Sequence, residues 1–210
     1  MRIAVACSGL LLALCALAGA QGSSDADQLA PGCFLVASRD LGDPNFSQAV
    51  VLLVQYSDER GAMGVIINRR TDVPISRVLN DLKEARNRTD PVYVGGPVEL
   101  NSLIALLRST DKLEGARKVF ANVYLMSSKE LLQKTLASAV DANAFHAFLG
   151  YAGWEPGQLE HEVDLGSWHI LPADAAEVFH SDPDSVWPRL IRRTETQIAA
   201  APGKWRRAAR

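Results

Sequence analysis

From Phe34 to Leu171 the chain is divided into short apolar runs of strand length, each closed by glycine, proline or a group of Asp, Asn and Ser. The clearest pair is Ala49 to Gln55 and Met63 to Asn68, separated by the hairpin-sized loop Ser57-Asp58-Glu59-Arg60-Gly61. A β-branched run that turns back on itself through so short a loop must pair antiparallel. Further strand runs are Phe34–Ala37, Val92–Val94, Ile104–Leu107, Val119–Met126, Ala144–Leu149 and Trp168–Leu171. Helical spacing appears behind Pro74 (Ile75, Val78, Leu79, Leu82) and behind Ser127-Ser128-Lys129-Glu130, where Leu131, Leu132, Leu136 and Val140 share a side. In the latter, Ser127 is the expected capping acceptor. Gln158–Val163, Ala175–Phe179 and Val186–Arg193 complete the helices. Strand and helix segments alternating without a long linker fit one domain, and the hairpin favours α+β over α/β.

Composition bounds the function classes. With 210 residues, 48% hydrophobic and a formal charge of −2, the chain can bury a full core without staples. It reads neither as a disordered chain, nor as a multi-span membrane protein, nor as a generally basic nucleic-acid binder.

The N-terminus differs from the rest. Arg2 is its only charge, Ile3 to Leu17 is almost unbroken apolar sequence, and Ala18-Gly19-Ala20 offers small residues to a signal peptidase. Residues 1–20 therefore read as a signal peptide and 21–29 as a polar lead-in. The expected location is periplasmic or secreted. An uncleaved N-terminal anchor, or a lipid on Cys15, remains as an alternative. Cleavage after Ala20 leaves 21 basic against 24 acidic side chains, a net −3, and no membrane span is expected in the mature chain. It also leaves Cys33 as the only cysteine, read here as a small buried hydrophobe. Asn45-Phe46-Ser47 and Asn87-Arg88-Thr89 are glycosylation sequons, relevant only in a glycosylating host. The basic end, 196–210, with Lys204-Trp205-Arg206-Arg207, reads as a solvated tail.

Catalytic signatures are missing: no Gly-x-Ser-x-Gly elbow, no phosphate loop, no dinucleotide fingerprint and no His-Glu-x-x-His. No metal or cofactor is expected. Glu160-His161-Glu162 places neighbours in different directions around a helix and reads as a solvated face. Three glycine segments stand out. Gly61-Ala62-Met63-Gly64 leads to Asn68 and Arg69; Gly95-Gly96-Pro97 has the form of an anion nest or of a tight turn between two backbones. Gly150-Tyr151-Ala152-Gly153-Trp154 leads to Gln158-Leu159-Glu160. As function, this last segment is an aromatic-walled pocket beside a helix end that favours anions. As structure, Tyr151 and Trp154 plug the core, which is the weightier reading. The candidate pocket residues are thus Asn68, Arg69, Gly95, Gly96, Tyr151, Trp154, Gln158 and Glu160, with no catalytic set assigned.

In order, Gly32-Cys33-Phe34-Leu35-Val36-Ala37, Asp43-Pro44-Asn45-Phe46, Gly61 to Arg69, Val94-Gly95-Gly96-Pro97-Val98, the Gly150–Trp154 segment through Glu160, and Trp168 followed by Pro172-Ala173-Asp174 resemble the YqgE/AlgH family, also called UPF0301 or DUF179. The resemblance spans about residues 30–192, within a domain placed at 30–195, and it implies a single α+β domain with a bifurcated, partly barrel-like, mostly antiparallel sheet surrounded by helices. It implies no catalytic residues. The family's label of transcriptional regulator sits poorly with export, since an exported protein meets no chromosome and no nucleic acid is expected as a partner. The expected role is a non-enzymatic binding or accessory domain for an unidentified small molecule or protein. The alternatives are the regulator and an unrecognised hydrolase-type enzyme using Asn68, Arg69, Glu160 or Cys33.

Overall fold

The structure is a computed structural model that describes residues 25–200 except 139; residues 1–24, with the stretch read as a signal peptide, and residues 201–210 lie outside the described residues. Its strands are β1 (Cys33–Ala37), β2 (Val50–Ser57), β3 (Gly61–Ile66), β4 (Arg70–Pro74), β5 (Pro91–Val94), β6 (Val98–Arg108), β7 (Arg117–Phe120), β8 (Val123–Met126), β9 (Phe145–Trp154) and β10 (Trp168–Pro172). The helices are α1 (Ile75–Val78), α2 (Lys129–Ala137), α3 (Gln158–Asp164), α4 (Ala175–Val178) and α5 (Val186–Ala200).

The sheet runs β10-β1-β2-β3-β9-β6-β8-β7, with β4 paired to β5 and β5 to β9. All pairings are antiparallel except β5 with β9. The expected β2–β3 hairpin is present, with Val51 opposite Ile66 and Ser57 opposite Gly61. β9 is the branch point. Its first half, around Ala147–Leu149, lies between β5 and β6, whereas its last three residues pair with β3. The sheet curls into an α+β half-barrel. A Cβ on Gly32, just before β1, would run into the Phe120 side chain at 2.7 Å, so β7 closes over this glycine.

The branch explains the glycines. Gly95 hands its N–H to Leu149 O (2.8 Å) and accepts from Ile66 N–H (2.8 Å), joining β3 and β9 through one residue. A Cβ on Gly95 would overlap the Gly150 carbonyl, and one on Gly96 the Tyr151–Ala152 peptide. Where three strands meet at one point, only bare backbone fits. Gly95-Gly96 is therefore a close backbone approach, and the Gly95 N–H is not available to an anion.

Strand alternation distributes side chains between two cores. On β6, Ile104 and Leu106 join Leu35, Leu52, Ile66, Phe148, Trp154, Trp187 and Leu190 on one face. Ala105 and Leu107 join Ile75, Val92, Met126, Leu132, Leu136 and Phe145 on the other. Helices α3 and α5 cover the first face, with Leu159, Val163, Leu190 and Ile191 buried, and α1 and α2 cover the second.

Several local expectations are corrected. The helix expected over Pro74–Leu82 is one turn, α1, followed by a 3-10 turn at Lys83–Ala85. Arg70–Pro74, a polar segment with little apolar alternation, forms edge strand β4 because its backbone is held by β5. The run Val119–Met126 is a hairpin whose turn holds Ala121 at φ 38°. The N-cap of α2 is Ser128, accepting from Leu131 N–H, rather than Ser127. The strand expected over Ala144–Leu149 does not stop there: glycine-rich Gly150–Trp154 is the second half of β9. Helix α5 continues beyond Arg193 to Ala200, because buried Thr194 extends its inner face.

Candidate functional site

The connection from β1 to β2, residues 38–49, organises the site. Its far half is fastened at three places. Asn68 accepts from Val50 N–H (2.8 Å) and donates to Gln48 O (2.9 Å), holding Gln48 in the left-handed region at φ 56°. Arg69 donates to Ser47 O (3.3 Å); burial lowers its pKa, partly countered by the charge of Asp43. Phe46 packs on Trp154 (centroids 6.0 Å, stacked) and edge-on to Trp168 (5.5 Å), while the two indoles meet each other at 6.0 Å.

Under this aromatic group lies Glu162. Its Oε2 accepts both indole N–H groups, from Trp154 (2.9 Å) and Trp168 (2.8 Å), and its Oε1 accepts from Gln158 Nε2 (2.9 Å). Gln158 Oε1 in turn accepts from Glu155 N–H (3.1 Å), closing the start of α3 with the helix's own side chain. Glu162 was missed because the sequence reading treats Glu160-His161-Glu162 as a solvated face. The available signal was a carboxylate eight residues after one tryptophan and six before another. Glu160 turns elsewhere, to accept from the Tyr56 hydroxyl (2.6 Å), and His161 is exposed, so the three side chains share no centre. Burial, then the Glu160 hydrogen bond, pushes the Tyr56 phenol up.

The sequence candidates thus divide into groups. Asn68, Arg69 and Trp154 act on one loop, with Gln158 supporting it through Glu162. Gly95, Gly96 and Tyr151 belong to the sheet branch, and Glu160 to a separate contact with β2. Tyr151 and Trp154, three residues apart on one strand, face opposite sides of it and do not wall one pocket. Desolvation, then the charge of Glu99, pushes the Tyr151 phenol up. Cys33 is buried in β1, and burial pushes its thiol up, away from the nucleophilic thiolate.

The near half of the same connection walls an open cleft of about 390 Å³. Arg39, Asp40 and Leu41 form one side; His169 of β10 and Ile191 and Glu195 of α5 face them. Arg39 grips Glu195 with Nε on Oε1 (2.6 Å) and Nη2 on Oε2 (3.2 Å), and lies over the Trp187 ring at 5.5 Å. The Arg39 bond holds the Glu195 carboxyl below the usual range, and burial lowers the pKa of His169. None of these side chains carries a sequence motif. Arg39 and Glu195 are 156 positions apart, and Glu195 lies past the end expected for its helix. Among the described residues no group of three or more His, Cys, Asp or Glu is placed to hold a metal ion, and no helix is long and apolar enough to cross a membrane.

A half-barrel with a strapped β1–β2 loop, aromatic and carboxylate anchors beneath it and an open cleft beside it defines a single-domain α+β protein of one recognisable kind. Residues 34–199 match the model of the AlgH-like family, DUF179. A UPF0301 protein of Streptomyces avermitilis is 36% identical over 177 residues, covering 80% of this chain and 88% of that protein. One from Anaeromyxobacter dehalogenans is 39% identical over 175 residues, covering 79% and 87%. The solution structure of the AlgH protein from Pseudomonas aeruginosa superposes with a TM-score of 0.65 at 29% identity, covering 82% of this chain and 93% of that one. The crystal structure of protein DIP2367 from Corynebacterium diphtheriae, at 23% identity, shares the fold with a TM-score of 0.64 over 79% and 87%. The chain belongs to the AlgH-like, UPF0301 family.

Proposed function

We propose that this protein is an exported, non-enzymatic binding or accessory domain, and that its ligand seat is the cleft between the β1–β2 connection, β10 and α5. One observation carries the reading. The polar side chains of the recognised segments bond to the protein itself: Asn68 and Arg69 to the loop backbone, Gln158 to Glu162, and the Trp154 indole to Glu162. Groups engaged in this way are building parts that hold the far half of the β1–β2 connection, and the near half of that connection walls a cleft whose volume suits a small ligand. The apolar segment at residues 1–20 supports export.

Two measurements test the proposal. N-terminal sequencing of the processed chain outside the cytoplasm is expected to begin at Gln21; an unprocessed, cytoplasmic chain overturns export. A ligand screen by thermal shift is expected to yield compounds whose binding is weakened in Leu41→Ala, a change in the cleft wall, once its retained fold is established by circular dichroism. Turnover of any substrate by the purified protein, abolished in folded Arg69→Ala or Glu160→Gln, favours the hydrolase reading instead.

A further inference from the structure

We infer that the cleft takes a small organic cation, an ammonium or guanidinium group seated between Asp40 and Glu195. This rests on the reading of the cleft as the ligand seat and adds the class of ligand. The charged side chains on its walls are Arg39, Asp40 and Glu195, formally −1 with His169 neutral. The single positive charge is already matched, because the Arg39 guanidinium is forked onto Glu195 and laid on the Trp187 ring. Asp40, by contrast, is exposed and has no ion pair among the described residues. An incoming anion meets an occupied arginine and two carboxylates, whereas a cation meets the unmatched charge of Asp40 and the outer lone pairs of Glu195.

His169 points the same way. It lines the cleft, half-buried, and its ring makes no hydrogen bond within the described residues. Burial keeps the imidazole in its neutral form near pH 7, so one ring nitrogen is free to accept a hydrogen bond from an N–H donor. Leu41 and Ile191 supply apolar wall, which suits a carbon-bearing cation better than a hydrated metal ion.

The test follows backbone amide resonances of residues 38–42 and 165–169 in the whole labelled chain during titration with agmatine and, separately, with succinate. Agmatine is expected to shift them saturably and succinate to leave them in place. Asp40→Asn, at an exposed position, is expected to weaken agmatine about tenfold while circular dichroism is unchanged. Glu195→Gln removes one acid and releases Arg39, so agmatine weakens and succinate begins to bind. Succinate saturating these resonances in the unaltered chain overturns the cation assignment and leaves the cleft as a seat. Failure of agmatine, succinate and a general fragment set to move them overturns both the assignment and the binding reading.

Discussion

Trp168 donates its indole N–H to Glu162 Oε2 across the α3–β10 corner at 2.8 Å, and the same oxygen takes the Trp154 indole at 2.9 Å. Both indoles are almost fully buried, so each N–H has this carboxylate as its acceptor away from water. Glu162→Leu leaves two buried donors unmet, each costing about 1–3 kcal/mol. The expected loss is about 3 kcal/mol in denaturant unfolding, with altered near-ultraviolet circular dichroism from the tryptophans. Glu162→Gln keeps one acceptor oxygen and is expected to lose about half as much. Equal stability of Glu162→Leu and the unaltered protein contradicts the anchoring role.

Asn68 acts on the other end of the strap. Asn68→Ala removes the acceptor for Val50 N–H and the donor to Gln48 O, and frees Gln48 from its positive φ. A loss of about 2 kcal/mol is expected, with faster proteolysis between residues 43 and 48. Asn68→Asp keeps the bond from Val50 N–H but sets a carboxylate against the Gln48 carbonyl, so it is expected to fall between the two. Limited proteolysis with mass spectrometry reads the difference; cleavage elsewhere first contradicts the clamp.

Glycine substitutions separate close approach from backbone conformation. Gly95→Ala forces a Cβ into the Gly150 carbonyl at the point where β3, β5 and β9 meet, and no flexible side chain is there to yield. Insoluble or unfolded protein is the expected outcome. At Gly157, φ 78°, a methyl group would have no neighbour within 4 Å, so Gly157→Ala meets only the left-handed backbone penalty of about 1 kcal/mol. Equal effects of the two substitutions contradict the branch-point account.

Much of the scaffold was legible in sequence, and the reasons are local. The β2–β3 hairpin showed itself through a β-branched run and a short polar loop, whereas the register shift between Leu53 and Gln55 left no mark in the sequence. Gly95-Gly96 offered a tight approach of two backbones, which is what the pair provides. Strand β4 was hidden because Arg70-Thr71-Asp72-Val73-Pro74 carries almost no apolar alternation, its order coming from β5. Tyr151 and Trp154 suggested one pocket because glycines concealed an unbroken strand, and strand periodicity sends the pair apart. The cleft was not legible at all. Arg39, Asp40, His169 and Glu195 come from three distant segments, and only the antiparallel pairing of β1 with β10 and the packing of α5 bring them together.

His146 couples folding to pH. It lies on β9 stacked on Tyr93 (centroids 4.6 Å) and near Phe179 (5.1 Å), with Nδ1 buried and unpartnered. Burial outweighs a backbone hydrogen bond with Val178 and the charge of Asp90, pulling its pKa down from 6.5 to about 4. The unfolded chain therefore binds a proton that the folded chain refuses between these values. Stability contributed by the neutral ring is complete above pH 6.5 and declines as the pH falls towards 4, by about 2–3 kcal/mol over the whole interval. At the acid end of that window and below it, Glu195 and Asp81, held low by Arg39 and Lys129, and Glu84, held low first by its own backbone N–H, add their own losses. His146→Phe keeps the aromatic stack without the titration. Its unfolding free energy is expected to fall less steeply between about pH 6.5 and 4.5 than the unaltered protein's, the remaining slope coming in part from the lowered pKa of His169, and parallel curves for the two proteins contradict the assignment.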